Sequence, residues 1–250
     1  MDLEQPLTGG NVSDGVVQIG GTVRKPWRSA TASVHAFLTH LGNHGVDVPR
    51  VLGRDSRGRQ ILEFIPGPTV EARRLTSDEL HRVGALVRRI HDVAAQHRPA
   101  EGAPWENVIP AREHELICHN DLAPWNLVIG ERFVFIDWDG AGPSSRLWDL
   151  AYSAQAFTAN DPAEDPEAAA ARLAAFVDGY GADCTLRSAL PEAMGDRTAA
   201  MHRLLCESHA SGREPWGSMY LTGHGAHWSA VTSYVRAHEK HWREALLPRR

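Results

Sequence analysis

The sequence predicts an α+β chain of two unequal lobes: a small β-rich N-terminal lobe over residues 1–65 and a larger, mostly helical lobe over residues 66–250. Three observations carry this expectation. Short Val- and Ile-rich runs separated by Gly, Pro and Asp-Ser turns fill the first part of the chain. The strand-like run QILEFI (60–65) ends on Pro66-Gly67-Pro68, a rigid exit that marks a lobe boundary. Beyond it, apolar residues recur at helical spacing through most of the remaining sequence. At 250 residues the chain is long enough for each lobe to bury a core.

In the N-terminal lobe, residues 8–25 alternate Gly-containing turns with β-branched residues. Val16, Val17 and Ile19 read as one strand, Gly20-Gly21 as a hairpin turn, and Thr22 to Arg24 as the start of the return strand. Pro26 ends that strand. Ser29 to Leu41 then places Val34, Phe37, Leu38 and Leu41 on one helical face, with no carboxylate in the segment. A strand start at Arg50 to Gly53, a turn at Asp55 to Gly58 and the strand 60–65 complete the lobe.

The helical lobe opens on Thr76-Ser77-Asp78-Glu79, a capping box with Thr76 as cap and Glu79 three residues on. Leu80, Val83, Val87, Ile90 and Ala94 form its core stripe, and His91 on the same face reads as a satisfied core histidine. Residues 97–111 form a long loop whose Trp105 either lines a pocket or plugs the lobe. Later helices are expected at Ser145 onward, Pro166 to Tyr180, Ala189 to His209 and Ala226 to Leu247.

The chemistry concentrates between Cys118 and Trp138, in CHNDLAPWNLVIGERFVFIDW. Two apolar runs, Leu127 to Ile129 and Phe133 to Ile136, flank Gly130-Glu131-Arg132 and read as a hairpin. A hairpin joins its outer ends, so Asn126 is expected beside Asp137. An amide oxygen next to a carboxylate makes a hard-oxygen site of the kind Mg²⁺ accepts. Asp121 sits just outside it, and Asp139 is expected to face the opposite side from Asp137.

His119-x-Asp121, four residues, then Asn126 matches the catalytic-loop spacing of protein kinases, and Asp137 stands where kinases carry a metal-binding Asp. HNDLAPWN (119–126) and IDW (136–138) most closely resemble the aminoglycoside phosphotransferase and choline kinase family, small-molecule kinases with a protein-kinase-like fold. The departure is Asn120, where that family usually has Gly. Asn is the next most tolerant residue of a positive φ, so the loop geometry is expected to be kept.

The resemblance implies the following roles. Asp121, with His119 and Asn126, forms the catalytic group; Asn126 and Asp137 hold Mg²⁺; and Asp149 hydrogen-bonds back to the catalytic loop as structural support. The nucleotide, ATP or GTP, is expected to meet the Gly-rich segment with Gly9 and Gly10, a strand cation, and the backbone of Glu63, Phe64 and Ile65. Arg24 and Lys25 are both candidates for the cation. Only one can face the cleft, because strand neighbours point to opposite faces, and Arg24 is the favoured one. No helix carboxylate is present to pair with it, and His35 is the nearest substitute. The acceptor is expected to be a small molecule bearing a hydroxyl, with Glu207, Trp216, Tyr220 and Trp228 as candidate pocket residues. A competing reading is a kinase-like binding or scaffold protein of little activity, favoured by the abbreviated N-terminal lobe.

Composition excludes several other classes. Lys+Arg 26 against Asp+Glu 31 gives a net charge of −5, which argues against nucleic acid as the main partner. No apolar run reaches the length of a membrane span, and the N-terminus lacks the layout of a signal peptide, so a cytoplasmic protein without a membrane partner is expected. Cys118, Cys184 and Cys206 are widely spaced and read as reduced, buried thiols. His224 and His227 lack a companion ligand at metal spacing and read as ordinary polar histidines.

Overall fold

Five short strands form one antiparallel sheet in the order β1-β2-β3-β5-β4, namely β1 (Gln5–Pro6), β2 (Val17–Ile19), β3 (Thr22–Lys25), β4 (Val51–Arg54) and β5 (Gln60–Glu63). The structure is a computed structural model that describes residues 3–7 and 15–247, so the expected phosphate contacts of Gly9 and Gly10 lie outside the described residues. The Gly20-Gly21 turn joins β2 to β3, with Ile19 opposite Thr22. Helix α1 (Thr31–Asn43) buries Val34, Phe37, Leu38 and Leu41. Those residues are the predicted face.

The chain leaves the sheet through Pro66-Gly67-Pro68, which runs against a two-stranded hairpin of the next lobe. Gly67 has φ +134°, and a Cβ there would lie 3.0 Å from Val128. A Cβ on Gly130 would lie 2.9 Å from the Pro66 carbonyl oxygen, so both glycines are needed for this close crossing. The hairpin consists of β7 (Leu127–Ile129) and β8 (Phe133–Phe135). At its tip Arg132 bridges to Asp47 and to Glu63, 2.9 Å away, tying the hairpin to the sheet. A second small pair, β6 (Leu116–Cys118) with β9 (Gly142–Ser144), frames the segment between them.

The remaining elements are helical: α2 (Ser77–Ala94), α3 (Arg146–Thr158), α4 (Pro166–Tyr180), α5 (Cys184–Ser211), α6 (Trp216–Met219), α7 (Gly225–Ala237) and α8 (Glu239–Leu246). The capping box forms as read, with the Thr76 hydroxyl accepting from the Glu79 amide and the Glu79 carboxylate accepting from the Thr76 amide. Leu80, Val83, Val87 and Ile90 are all buried to 1% exposure or less, which makes α2 the spine of this lobe. Two of the expected helices differ. α5 begins five residues earlier than read, at Cys184, with Asp183 as its cap and Pro191 inside it. The segment read as one helix to Leu247 is broken at His238 into α7 and α8. Trp105 is half-buried and edge-on to Phe37 at 6.5 Å, with its Cβ against Gly142, so it packs between α1 and β9. All three cysteines are free, but only Cys118 is buried; Cys184 is exposed in the first turn of α5 and Cys206 is half-buried.

Helices α2 and α4 cross at backbone contact. A Cβ on Gly84 would fall 2.0 Å from the Phe176 carbonyl oxygen, and one on Gly179 would fall 2.0 Å from that of His81. Helix propensity alone would make Gly84→Ala stabilising by about 1 kcal/mol. Overpacking at the crossing reverses the sign, with an expected loss of about 1–3 kcal/mol, read in a thermal melt as a midpoint lowered by roughly 2–4 °C per kcal/mol. An unchanged or raised midpoint would show that the helices are not in contact there.

Candidate active site

The loop between β6 and β7 holds its shape through buried side chains from three elements. Asn120 has φ +66°, a conformation Gly adopts freely and Asn tolerates. Its amide N–H donates to Asp149 Oδ1 at 2.8 Å, and its side-chain amide donates to the Gly140 carbonyl at 3.1 Å. The second bond is one that Gly could not make. Asp149, in the first turn of α3 and 1% exposed, accepts also from His91 Nε2 at 3.0 Å, and His91 Nδ1 meets the Tyr180 hydroxyl at 2.8 Å. His91 is therefore a fully satisfied core histidine.

His119 has a different role from the expected one. It is fully buried against Trp138, with ring centroids 4.4 Å apart. Its Nδ1 accepts from the Asp121 amide at 3.2 Å, which leaves Nε2 to donate to the Ile136 carbonyl at 3.1 Å. With both nitrogens engaged and no exposed surface, His119 ties the loop to the strand leading to Asp137.

Asp121 and Asn126 sit together. Asn126 donates from Nδ2 to Asp121 Oδ2 at 2.8 Å, and the Ile136 amide donates to the Asn126 carbonyl at 2.8 Å, so the hairpin does bring Asn126 to the edge of Asp137. The NH₂ end of the Asn126 amide faces Asp121, which directs its oxygen end away from that carboxylate. Burial raises the Asp121 carboxyl above the ordinary range, opposed by the hydrogen bond from Tyr152, by His119 and by Asn126.

Asp137 occupies a left-handed backbone conformation, φ +60°, at the start of a tight 3-10 turn through Trp138–Gly140. That turn brings Asp139 round to the same side as Asp137, contrary to the expectation that the two diverge. Lys25 Nζ lies 2.6 Å from Asp137 Oδ1 and 2.7 Å from Asp139 Oδ2. Lys25 is thus the cleft-facing cation, and the preference for Arg24 is corrected. On the opposite face of β3, Arg24 donates to the Thr22 hydroxyl at 2.5 Å and lies 3.8 Å from Asp55. Burial lowers the Lys25 ammonium, but the two carboxylates outweigh it and the net shift is upward; likewise burial raises Asp137, and Lys25 brings it below the ordinary range. His35 does not substitute for a helix carboxylate, because its Nε2 is bonded to Gln60 at 3.0 Å.

At the lobe crossing, the Glu63 amide donates to the Arg50 carbonyl and the Phe64 amide to the Gly21 carbonyl. The Glu63 carboxylate is held by Arg50 and Arg132, and Ile65 is buried. On the other side of Asp121 lies a group that sequence reasoning missed: the Tyr152 hydroxyl donates to Asp121 Oδ1 at 2.7 Å. Tyr152 stacks on Trp228 at 6.3 Å, and Trp125 stands edge-on at 6.5 Å. Of the pocket candidates, Trp228 therefore reaches the loop that carries Asp121 through Tyr152. Glu207 is exposed, Trp216 is half-buried against the core, and Tyr220 stacks on His209. His227 Nε2 donates to Asn160 Oδ1 at 3.3 Å, an ordinary polar contact.

Residues 103–186, which include the whole of this loop and hairpin, match the sequence model of the phosphotransferase enzyme family, APH. The chain folds as the two-lobed kinase-like phosphotransferases do. It superposes on the amicoumacin kinase hAmiN, solved in complex with AMP-PNP, Ca²⁺ and Ami, with TM-score 0.66 at 15% identity, covering 95% of this chain and 88% of that one. It superposes equally on the microcompartment-associated aminopropanol kinase, with TM-score 0.66 at 14% identity over 99% and 94% of the two chains. In sequence it is 35% identical over 154 residues to the trifolitoxin immunity protein of Rhizobium leguminosarum bv. trifolii, an alignment spanning 57% of this chain and 58% of that protein.

The donor set fits a divalent cation: two carboxylates already converge on a positive charge, and Asn126, whose carbonyl accepts from the amide of the residue before Asp137, brings an amide to the same hairpin end. Lys25 competes for the same carboxylates. Lys25→Met is expected to lower the melting midpoint in metal-free buffer and to enlarge the rise produced by millimolar Mg²⁺ relative to the unsubstituted protein. A Mg²⁺ response equal to or smaller than that of the unsubstituted protein would show that the Asp137–Asp139 pair is not the cation site.

Proposed function

We propose that this protein transfers the γ-phosphoryl group of ATP or GTP to a hydroxyl of a small molecule, with Mg²⁺ as the divalent ion. The observation that carries it is that two pairs, Asn126 on Asp121 and Lys25 on Asp137, are held next to each other by the Ile136–Asn126 backbone bond, which supports an arrangement suited to a loose phosphoryl transfer. Asn126, Asp137 and Asp139 would hold the metal, whose bound charge neutralises the phosphate oxygens. Lys25, freed from the carboxylates, grips the phosphates. The acceptor hydroxyl gives its proton to Asp121 as its oxygen bonds to the γ-phosphorus, and the bond from phosphorus to the bridging oxygen breaks, releasing the nucleoside diphosphate. With the Glu63 and Phe64 amides already bonded within the protein, the base of the nucleotide would meet Ile65 and the carbonyls of this crossing. The competing scaffold reading lacks an explanation for two carboxylates kept close together around one lysine beside a third, Asp121, in the neighbouring loop.

The acceptor class is framed by two similarities. A relative named for trifolitoxin immunity and a structural neighbour that is an amicoumacin kinase support a toxin- or antibiotic-like acceptor. The formal charge of −5 suits a cationic acceptor of the aminoglycoside or amino-alcohol kind. We place the acceptor between the catalytic loop and the helical lobe.

Asp121→Asn is expected to lower turnover by roughly 10²- to 10⁴-fold, the usual contribution of a general base, and to leave Mg-nucleotide affinity unchanged. The measurement is transfer of ³²P from labelled ATP or GTP to a panel of aminoglycosides, macrolides, peptide antibiotics, choline and amino alcohols. Undiminished transfer by the Asp121→Asn variant would remove Asp121 from the chemistry.

A further inference from the structure

The base of the proposed reaction is held from both sides, and one of its two holders comes from outside the motif. Asp121 Oδ2 accepts from Asn126 at 2.8 Å, and Oδ1 accepts from the Tyr152 hydroxyl at 2.7 Å. Tyr152 is 4% exposed, in the second turn of α3. Its ring has no freedom to turn: the Arg197 guanidinium lies over one side, 4.3 Å from the centroid, and the Trp228 ring stacks against it at 6.3 Å and 18°. Arg197 is itself 4% exposed, donates through Nη2 to the Asn120 carbonyl at 3.3 Å, and has a buried Nη1 without a hydrogen-bond partner. A buried cation with no carboxylate bonded to it among the described residues lies beside the tyrosine that holds the base, and its field favours the ionised Asp121 and steadies the loop carbonyl at the same time.

We infer that Tyr152, clamped by Arg197, is a positioning residue that fixes the Asp121 carboxylate for proton acceptance. This rests on the phosphotransfer reading above. A carboxylate has about four lone-pair sites. With one oxygen held by an amide and the other by a hydroxyl, the carboxylate plane is set and sites remain open to the acceptor. Without the hydroxyl, only Asn126 restrains rotation about χ2, and the base spends less time aligned.

The test uses Tyr152→Phe, which keeps the ring and removes only the hydroxyl, with Mg-ATP hydrolysis as the probe and water as the acceptor. The inference expects kcat to fall roughly 10- to 100-fold with KM for Mg-ATP and the melting midpoint essentially unchanged, and no further loss when Tyr152→Phe is added to Asp121→Asn. An unchanged kcat, a loss confined to KM, or an equal loss in the Asp121→Asn background overturns it. If the unsubstituted protein hydrolyses no Mg-ATP and phosphorylates no acceptor, the phosphotransfer reading itself fails. The positioning claim is then decided by the crystal structure of Tyr152→Phe: a carboxylate rotated off Asn126 supports it, and one unmoved from its position in the unsubstituted protein overturns it.

Discussion

A buried ammonium between two half-buried carboxylates joins the sheet of this protein to the stretch that carries Asp121, Asn126 and Asp137. Lys25 is 6% exposed, and both Asp137 and Asp139 reach it at hydrogen-bond distance. Burying any one of these charges alone would be costly, and burial is indeed the largest influence on both Lys25 and Asp137. It is overcome because each partner faces an opposite charge. The absence of a carboxylate on α1 is accounted for by the same contact, since Lys25 is compensated from the helical lobe and His35 is left to bond Gln60. The helix next to β3 therefore serves packing, and the sheet's charge chemistry is completed across the cleft.

The loop around Asp121 depends on a second constraint, two residues with positive φ that are not glycine, Asn120 and Asp137. Such conformations cost roughly 1–3 kcal/mol each and persist where surroundings over-determine them. Here Asp149 holds the Asn120 amide, Asn120 itself reaches Gly140, and His119 joins the Asp121 amide to the Ile136 carbonyl. The loop and the turn after Asp137 are thereby bonded directly to each other. Rigid placement of Asp121 against Asn126 and Tyr152 is the functional result.

What the sequence made legible was local. Asp121, Asn126 and Asp137 lie within one loop and hairpin, so spacing alone brought them together, and the capping box and the α2 stripe were readable for the same reason. Lys25 was harder: β3 is four residues long, and which of two adjacent cations faces inward depends on its pairing with β5, where Lys25 lies opposite Gln60. Asp139 was misplaced because strand alternation was carried past Asp137, where the left-handed residue and the following 3-10 turn end it. Tyr152 and Arg197 carry no motif. They reach Asp121 and Asn120 from helices 31 and 77 residues further along the chain, and only tertiary packing makes them neighbours of the base. The break at His238 left the spacing of Trp242 intact and so gave no signal.

The central claim is that Asn126, Asp137 and Asp139 form a metal-dependent nucleotide site whose charge Lys25 balances when it is empty of metal. Isothermal titration of the unsubstituted protein with ATP and with GTP, in the presence of Mg²⁺ and again in excess chelator, tests it most directly. The account predicts that at least one of the two nucleotides binds in Mg²⁺ and that its binding is lost or greatly weakened in chelator. Binding of equal strength in both conditions, or of neither nucleotide in either, would contradict it.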